Sequence, residues 1–235
     1  IADFRGIRPY IDSSAACGSL EFEYALGNTT FRPFRGAIFP DIVVNTPLRT
    51  VAVGSYGFNA GRLRMVAGTF NLGNYRDTVH SISGSGNIIF NVATMLCVKG
   101  DTANFSHMSS IVPSTGTINF MGLSGDQILV PKEGTLLPPV FITGSSKVKL
   151  ESYTLSTLGF TQSSGVVDFN GQNISVGSNG SFTVTNGNDT SIVNLDGRTI
   201  TVAGNCAFNG TALASLNLKA ATRWTLEVSG ALSAN

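Results

Sequence analysis

"DFNGQNISVGSN", residues 168–179, and "NLDGRTITVAGN", residues 194–205, are two versions of one pattern set 26 residues apart. Asp168 is answered by Asn194, Phe169 by Leu195, Asn170-Gly171 by Asp196-Gly197, and Ile174-Ser175-Val176 by Ile200-Thr201-Val202. A constant period of this length marks a chain built from stacked equivalents, each of which cannot bury its apolar face alone.

Working outward, the triplets Val148-Lys149-Leu150, Ile174-Ser175-Val176, Ile200-Thr201-Val202 and Leu226-Glu227-Val228 follow one another at 26-residue steps. Each reads apolar, polar, apolar, which is the alternation of a strand with one face buried and its middle residue facing water. A second strand per period is expected at Val167-Asp168-Phe169 and Val193-Asn194-Leu195. A third is expected at Phe182-Thr183-Val184, answered weakly at Phe208. Between the second strand and the triplet lies Asn170-Gly171 or Asp196-Gly197, a pair that tolerates the positive φ of a tight turn. Lys219 stands where Val193 predicts an inward side chain, so the register is expected to slip there and turn Leu216 and Leu218 inward.

A longer echo reaches the front of the chain. "GSLEF" at 18–22 returns as "GTINF" at 116–120, and "GAIFPDIVVN" at 36–45 returns as "GTLLPPVFIT" at 134–143, an offset of 98 residues. The expected organisation is a single domain over residues 1–235, with tandem units at about 18–115 and 116–213 and a partial third to 235.

Short strands repeating at a fixed step are expected to pair in parallel with their own copies, about 4.8 Å away. The fold class is then all-β, a parallel β-solenoid with coils of about 26 residues. An antiparallel sandwich also suits short strands and frequent turns, but it does not require a constant period. The inward aliphatic ladder, the coil length and the turn "GVVDFNGQNISV" (165–176) resemble the repetitive right-handed parallel β-helix proteins of microbial surfaces, a group that includes filamentous adhesins, autotransporter passengers and virus tailspikes. That resemblance implies a right-handed coil and a scaffold in a fibre, coat or adhesin. Fold by itself does not decide function.

Charged residues make up 12% of the 235 residues, about half the usual share, so the surface is polar mainly through amides and hydroxyls. A net charge of +1 supplies no global field for nucleic acid or a membrane surface. Eight of the ten arginines (Arg5, Arg8, Arg32, Arg35, Arg49, Arg62, Arg64, Arg76) lie in the first third, where ordinary surface charge and a face for an acidic partner are the alternatives. Cys17, Cys97 and Cys206 allow at most one internal disulfide and lack metal-site spacing. Cys206 reads as a small buried residue in the place of Gly180. The chain starts at Ile1 and has neither a signal-peptide core nor an apolar run long enough to span a bilayer, which suggests a processed product or a piece of something longer.

The fourteen carboxylates offer few pairs suited to glycoside hydrolysis. Asp168 and Asp196 could approach one another from adjacent coils, yet no coil carries both, so an amide and acid ladder beside a turn is the expectation. Asp168, Asn170, Asn194 and Asp196 are the oxygen set for calcium, with too few acids to favour it. His80 and His107, 27 residues apart, are expected to be polar positions on coil surfaces rather than a metal pair. No nucleophile elbow, phosphate loop or dinucleotide fingerprint occurs. The Lys147, Lys149 and Arg198 neighbourhood is the one modest candidate for a polysaccharide groove. Six Asn-x-Ser/Thr sequons (Asn28, Asn104, Asn173, Asn179, Asn188, Asn209) are present, with Asn173 expected outward.

The functional expectation is a structural, extracellular or cell-surface solenoid that self-associates with identical subunits, with surface glycans as a further partner. It carries no catalytic residues, metal or other cofactor, no nucleic-acid partner and no membrane span. A polysaccharide lyase or hydrolase, or a glycan-binding β-helix, is the alternative.

Overall fold

The structure, a computed structural model, describes residues 2–3, 18–23, 27–185, 191–194, 199–209, 216–219 and 225–234. All regular elements among them are strands, and the pairings between them are parallel. The chain divides into two compact units, Ile1–Thr117 and Ile118–Asn235. Each is a stack of parallel coils, so the fold is an all-β parallel β-solenoid.

In the second unit, one sheet runs through Leu136–Leu137, Leu155–Thr157, Ile174–Val176, Thr199–Val202 and Thr225–Val228. Ile174 lies opposite Ile200, and Ile200 opposite Leu226. Ile174, Val176, Ile200 and Val202 are buried, while Ser175 and Thr201 are half-exposed on the outer face, as the alternation predicts. The column upstream differs from the 26-residue reading. Ile174 pairs with Leu155, only 19 residues back, and Val148 pairs with Val167 in the other sheet. Lys149 therefore stands opposite Asp168 rather than above Ser175, whose true neighbour is Ser156.

The cause is variable coil length. Partners stand 26 residues apart at Val166–Ile192, Ile174–Ile200 and Cys206–Leu232, but 22 at Phe160–Phe182, 20 at Val140–Phe160 and 18 at Thr69–Asn87. Residues added or removed in a turn leave the strand register intact, because only the strands are tied to their neighbours. The slip expected at Lys219 is present, since Leu218 lies opposite Val193 and Lys219 opposite Asn194. Cys206 is buried, but it faces Phe182, and Gly204 takes the place over Gly180. Phe208 lies opposite Val184.

The interior is held by stacked rings. Phe182 lies on Phe160 with ring centroids 5.1 Å apart and nearly parallel planes, and Phe208 approaches its other side at 6.0 Å. In the first unit, Phe31 is packed edge-on against Phe22 and Phe39 and tilted against Phe58, which in turn meets Phe70. Burying each ring removes apolar surface worth roughly 2–3 kcal/mol, and each well-placed pair adds about 1 kcal/mol.

Coil corners are tied by hydroxyls and amides that reach one coil back. Ser55 Oγ donates to the Pro33 carbonyl (2.7 Å), Ser85 to Val66 (2.8 Å), Ser145 to Leu123 (2.8 Å) and Ser164 to Gly144 (2.8 Å). Asparagine carboxamides do the converse, accepting from backbone N–H one coil on: Asn28 from Thr50, Asn173 from Thr199 and Asn205 from Ala231, each at 3.0 Å. These bonds explain a surface rich in Ser, Thr and Asn and poor in charge, because the groups satisfy turn backbone that no strand partner reaches.

Two turns show why glycine is needed. The long strands Asp41–Val53 and Asn59–Asn71 meet at a corner where Thr46–Arg49 stand opposite the single residue Gly68, with Thr46 buried and Pro47, Leu48 and Arg49 exposed. Gly68 has φ 87°, and a Cβ there would fall 2.1 Å from the Thr46 carbonyl oxygen. At the turn predicted after Phe169, Asn170 (φ 44°) and Gly171 (φ 73°) both take left-handed conformations, and Gln172 N–H closes the turn on the Phe169 carbonyl.

Candidate functional site

The outer sheet face around Lys147 gathers the most charge that sequence reasoning singled out. The strands Asp126–Val130, Lys147–Leu150 and Val166–Asp168 lie side by side, which puts Asp126 opposite Lys147 and Lys149 opposite Asp168. Lys147 Nζ sits between two carboxylates of neighbouring coils, 3.6 Å from Asp126 and 3.3 Å from Asp168. Lys149 Nζ is 3.1 Å from Glu151. The other oxygen of Asp168 accepts the N–H of Asn170, so this carboxylate caps the turn as well as pairing with Lys147. Asp168 has Asn194 as its partner in the next coil, the acid and amide ladder that the alternation predicts. Asp196 and Arg198, like Arg5, Arg8, Cys17 and Asn188, lie outside the described residues.

The histidines do not pair. Gly100 N–H donates to the His80 carbonyl, and the His80 ring stands 3.9 Å from Asp101, both exposed, while His107 lies further along on an exposed turn. Among the described residues, no three His, Cys, Asp or Glu side chains come close enough to hold a metal ion. Of the sequon asparagines, Asn104 Oδ1 accepts both the N–H and the hydroxyl of Ser106, and Asn173, exposed as expected, accepts from Thr199. Cys97 and Cys206 are buried free thiols, and burial pushes both up from the ordinary thiol range.

Sequence reasoning passes over Asp77, the one buried aspartate among the described residues of the first unit. Its neighbour in the next coil is Leu96, and its side chain is fully buried. Oδ1 accepts the Phe58 N–H at 3.2 Å, and Oδ2 has no hydrogen-bond partner. Burial pushes its carboxyl up to about 8, against the smaller downward pull of the Phe58 bond, so it holds its proton at neutral pH. "YRDTVHS" gives no sign of this, because an acid in a strand normally marks the wet face.

Two outward columns are mainly hydroxyl. Ser156, Ser175 and Thr201 follow one another in consecutive coils of the smaller sheet, with Glu227 next and accepting from Thr201 at 3.3 Å. Thr161 and Thr183 do the same on the neighbouring sheet. No helix of the described residues is long and apolar enough to cross a membrane. No protein-family model, curated protein or solved structure matches the chain.

Proposed function

We propose that the chain is a structural β-solenoid of a cell-surface or extracellular fibre, sheath or adhesin, acting as a scaffold that associates with identical subunits rather than as an enzyme. The observation behind this reading is where its reactive side chains are spent. Lys147 clamps carboxylates of the coils before and after it, and the hydroxyls and carboxamides at the corners bond the backbone of the adjoining coil. Such side chains serve cohesion along the stack, which is what a load-carrying scaffold requires.

Self-association fits the sparse charge of the chain, since 12% charged residues and a net charge of +1 leave little repulsion between like copies. Negative-stain electron microscopy and sedimentation of the purified chain test the reading. Assemblies of several copies support it; single particles at high concentration contradict it.

A further inference from the structure

One set of turns in the first unit carries aromatic and basic side chains in successive coils. Ile38 lies opposite Asn59, and Asn59 opposite Thr78. Three residues before these positions, on the turns that enter the paired strands, stand Arg35, Tyr56 and Tyr75; Phe31 lies opposite Val53, 22 residues on, and Ile38 opposite Asn59, 21 on, so Arg35 lies beside the place opposite Tyr56. Close packing of Gly57 on the backbone of Arg76 fixes the last two coils against each other. Arg35 is exposed on the turn, Tyr56 is 50% exposed, and Tyr75 is half-exposed, its ring lying over Gly73. Arg76 is exposed beside Tyr75, and its guanidinium also bonds Cys97. In the next coil Met95 lies opposite Arg76, so the place opposite Tyr75 falls to the buried Thr94 and the ridge ends there.

We propose that this ridge binds an acidic polysaccharide lying along the coil stack. Tyrosine offers a flat apolar face and a polar tip at low entropic cost, and the C–H face of a pyranose ring stacks on such a surface. Arginine pairs with a sugar carboxylate through two parallel hydrogen bonds. The ladder repeats at the coil spacing of about 4.8 Å, so an extended polymer meets a ring or a guanidinium at each step, whereas a compact small molecule would use only one. A chain of acidic side chains on a peptide satisfies the arginines but supplies no ring face to Tyr56 and Tyr75, which favours the glycan. The proposal is independent of self-association.

The test is binding of the full chain to immobilised polygalacturonate, with dextran and poly-glutamate as the neutral and peptide probes, at low and high salt. Arg35→Ala is expected to weaken polygalacturonate binding by about tenfold or more. Tyr56→Ala is expected to weaken it by about tenfold, Tyr56→Phe to preserve it, and Arg64→Ala, on a different outward strand, to leave it unchanged. Circular dichroism confirms that each variant is folded. No binding of polygalacturonate by the unaltered chain, equal loss on Arg64→Ala, or binding of poly-glutamate that matches polygalacturonate and ignores Tyr56→Ala would each overturn the proposal.

Discussion

Replacing Asp77 by Asn should abolish a pH dependence that this residue builds into the first unit. Asp77 is fully buried, with one oxygen on the Phe58 N–H and the other without a partner. Its folded pKa is about 8 against 3.8 for the free side chain, the shift coming first from burial. A group raised in this way stabilises the fold fully below about pH 4, where both states are protonated. As pH rises, the unfolded chain loses the proton while the folded chain keeps it, so stability falls by about 1.4 kcal/mol per pH unit until the folded carboxyl itself ionises near pH 8. The whole window is worth on the order of 5 kcal/mol, and the part between pH 5 and pH 7 roughly 3 kcal/mol. Hydrogen exchange by mass spectrometry over peptides spanning residues 57–79, corrected for the intrinsic exchange rate at each pH, reads the opening free energy directly. The unaltered chain should lose protection steadily from pH 5 to pH 8, and Asp77→Asn should give a flat profile over the same range. Because the slope is compared rather than the level, any cost of burying the amide does not blur the result. Equal slopes in the two proteins would refute the assignment of Asp77 as a buried neutral acid.

Ile200→Asp places a charge between the buried Ile174 and the Leu226 coil, and should cost on the order of 5 kcal/mol, read as a collapse of the thermal midpoint. Gly134 and Gly68 both take positive φ, but only Gly68 has backbone within reach of a new Cβ. Gly134→Ala should therefore cost about 1–2 kcal/mol and Gly68→Ala more than about 3 kcal/mol in urea unfolding. Phe182→Ala removes the middle ring of the Phe160–Phe208 stack and should cost about 3–5 kcal/mol. Lys147→Met leaves Asp126 and Asp168 in partial contact with water and should cost under about 1 kcal/mol, less still in high salt. The reverse ranking would show that charge, not packing, holds the coils.

The sequence displayed the solenoid wherever neighbouring coils have equal length. Ile174, Ile200 and Leu226 are truly stacked at 26-residue steps, and Lys219 announced its own register slip, because the sequence pattern reserves that place for an apolar residue and Leu218 takes it opposite Val193. Val148-Lys149-Leu150 misled because every inward-facing strand of a coil has the same apolar, polar, apolar rhythm. The coil between Leu155 and Ile174 is 19 residues long, so an equal step of 26 lands on a different sheet. The Arg35, Tyr56 and Tyr75 ridge was invisible for a related reason, since the two coils that align it differ in length. Gly36 and Gly134, by contrast, stand at matching places in the 98-residue echo and both adopt positive φ, a local demand that the sequence shows openly. Asp77 had no signal at all, because its burial follows from the strand's facing and not from its chemistry.

The stacking of parallel coils in this register is tested most directly by paired cysteines. Opposite residues on adjacent parallel strands lie about 5 Å apart, within the Cα separation a disulfide spans. Ser175 and Thr201 are opposite one another on the outer face, as are Ser156 and Ser175. Lys149 is 26 residues before Ser175 but stands opposite Asp168 in the other sheet. Mild oxidation followed by peptide mapping should give a disulfide between the introduced cysteines in the Ser175→Cys/Thr201→Cys and Ser156→Cys/Ser175→Cys variants, and none between them in Lys149→Cys/Ser175→Cys. A disulfide in the Lys149→Cys/Ser175→Cys protein, with none in the other two, would contradict the register and the stacking built on it.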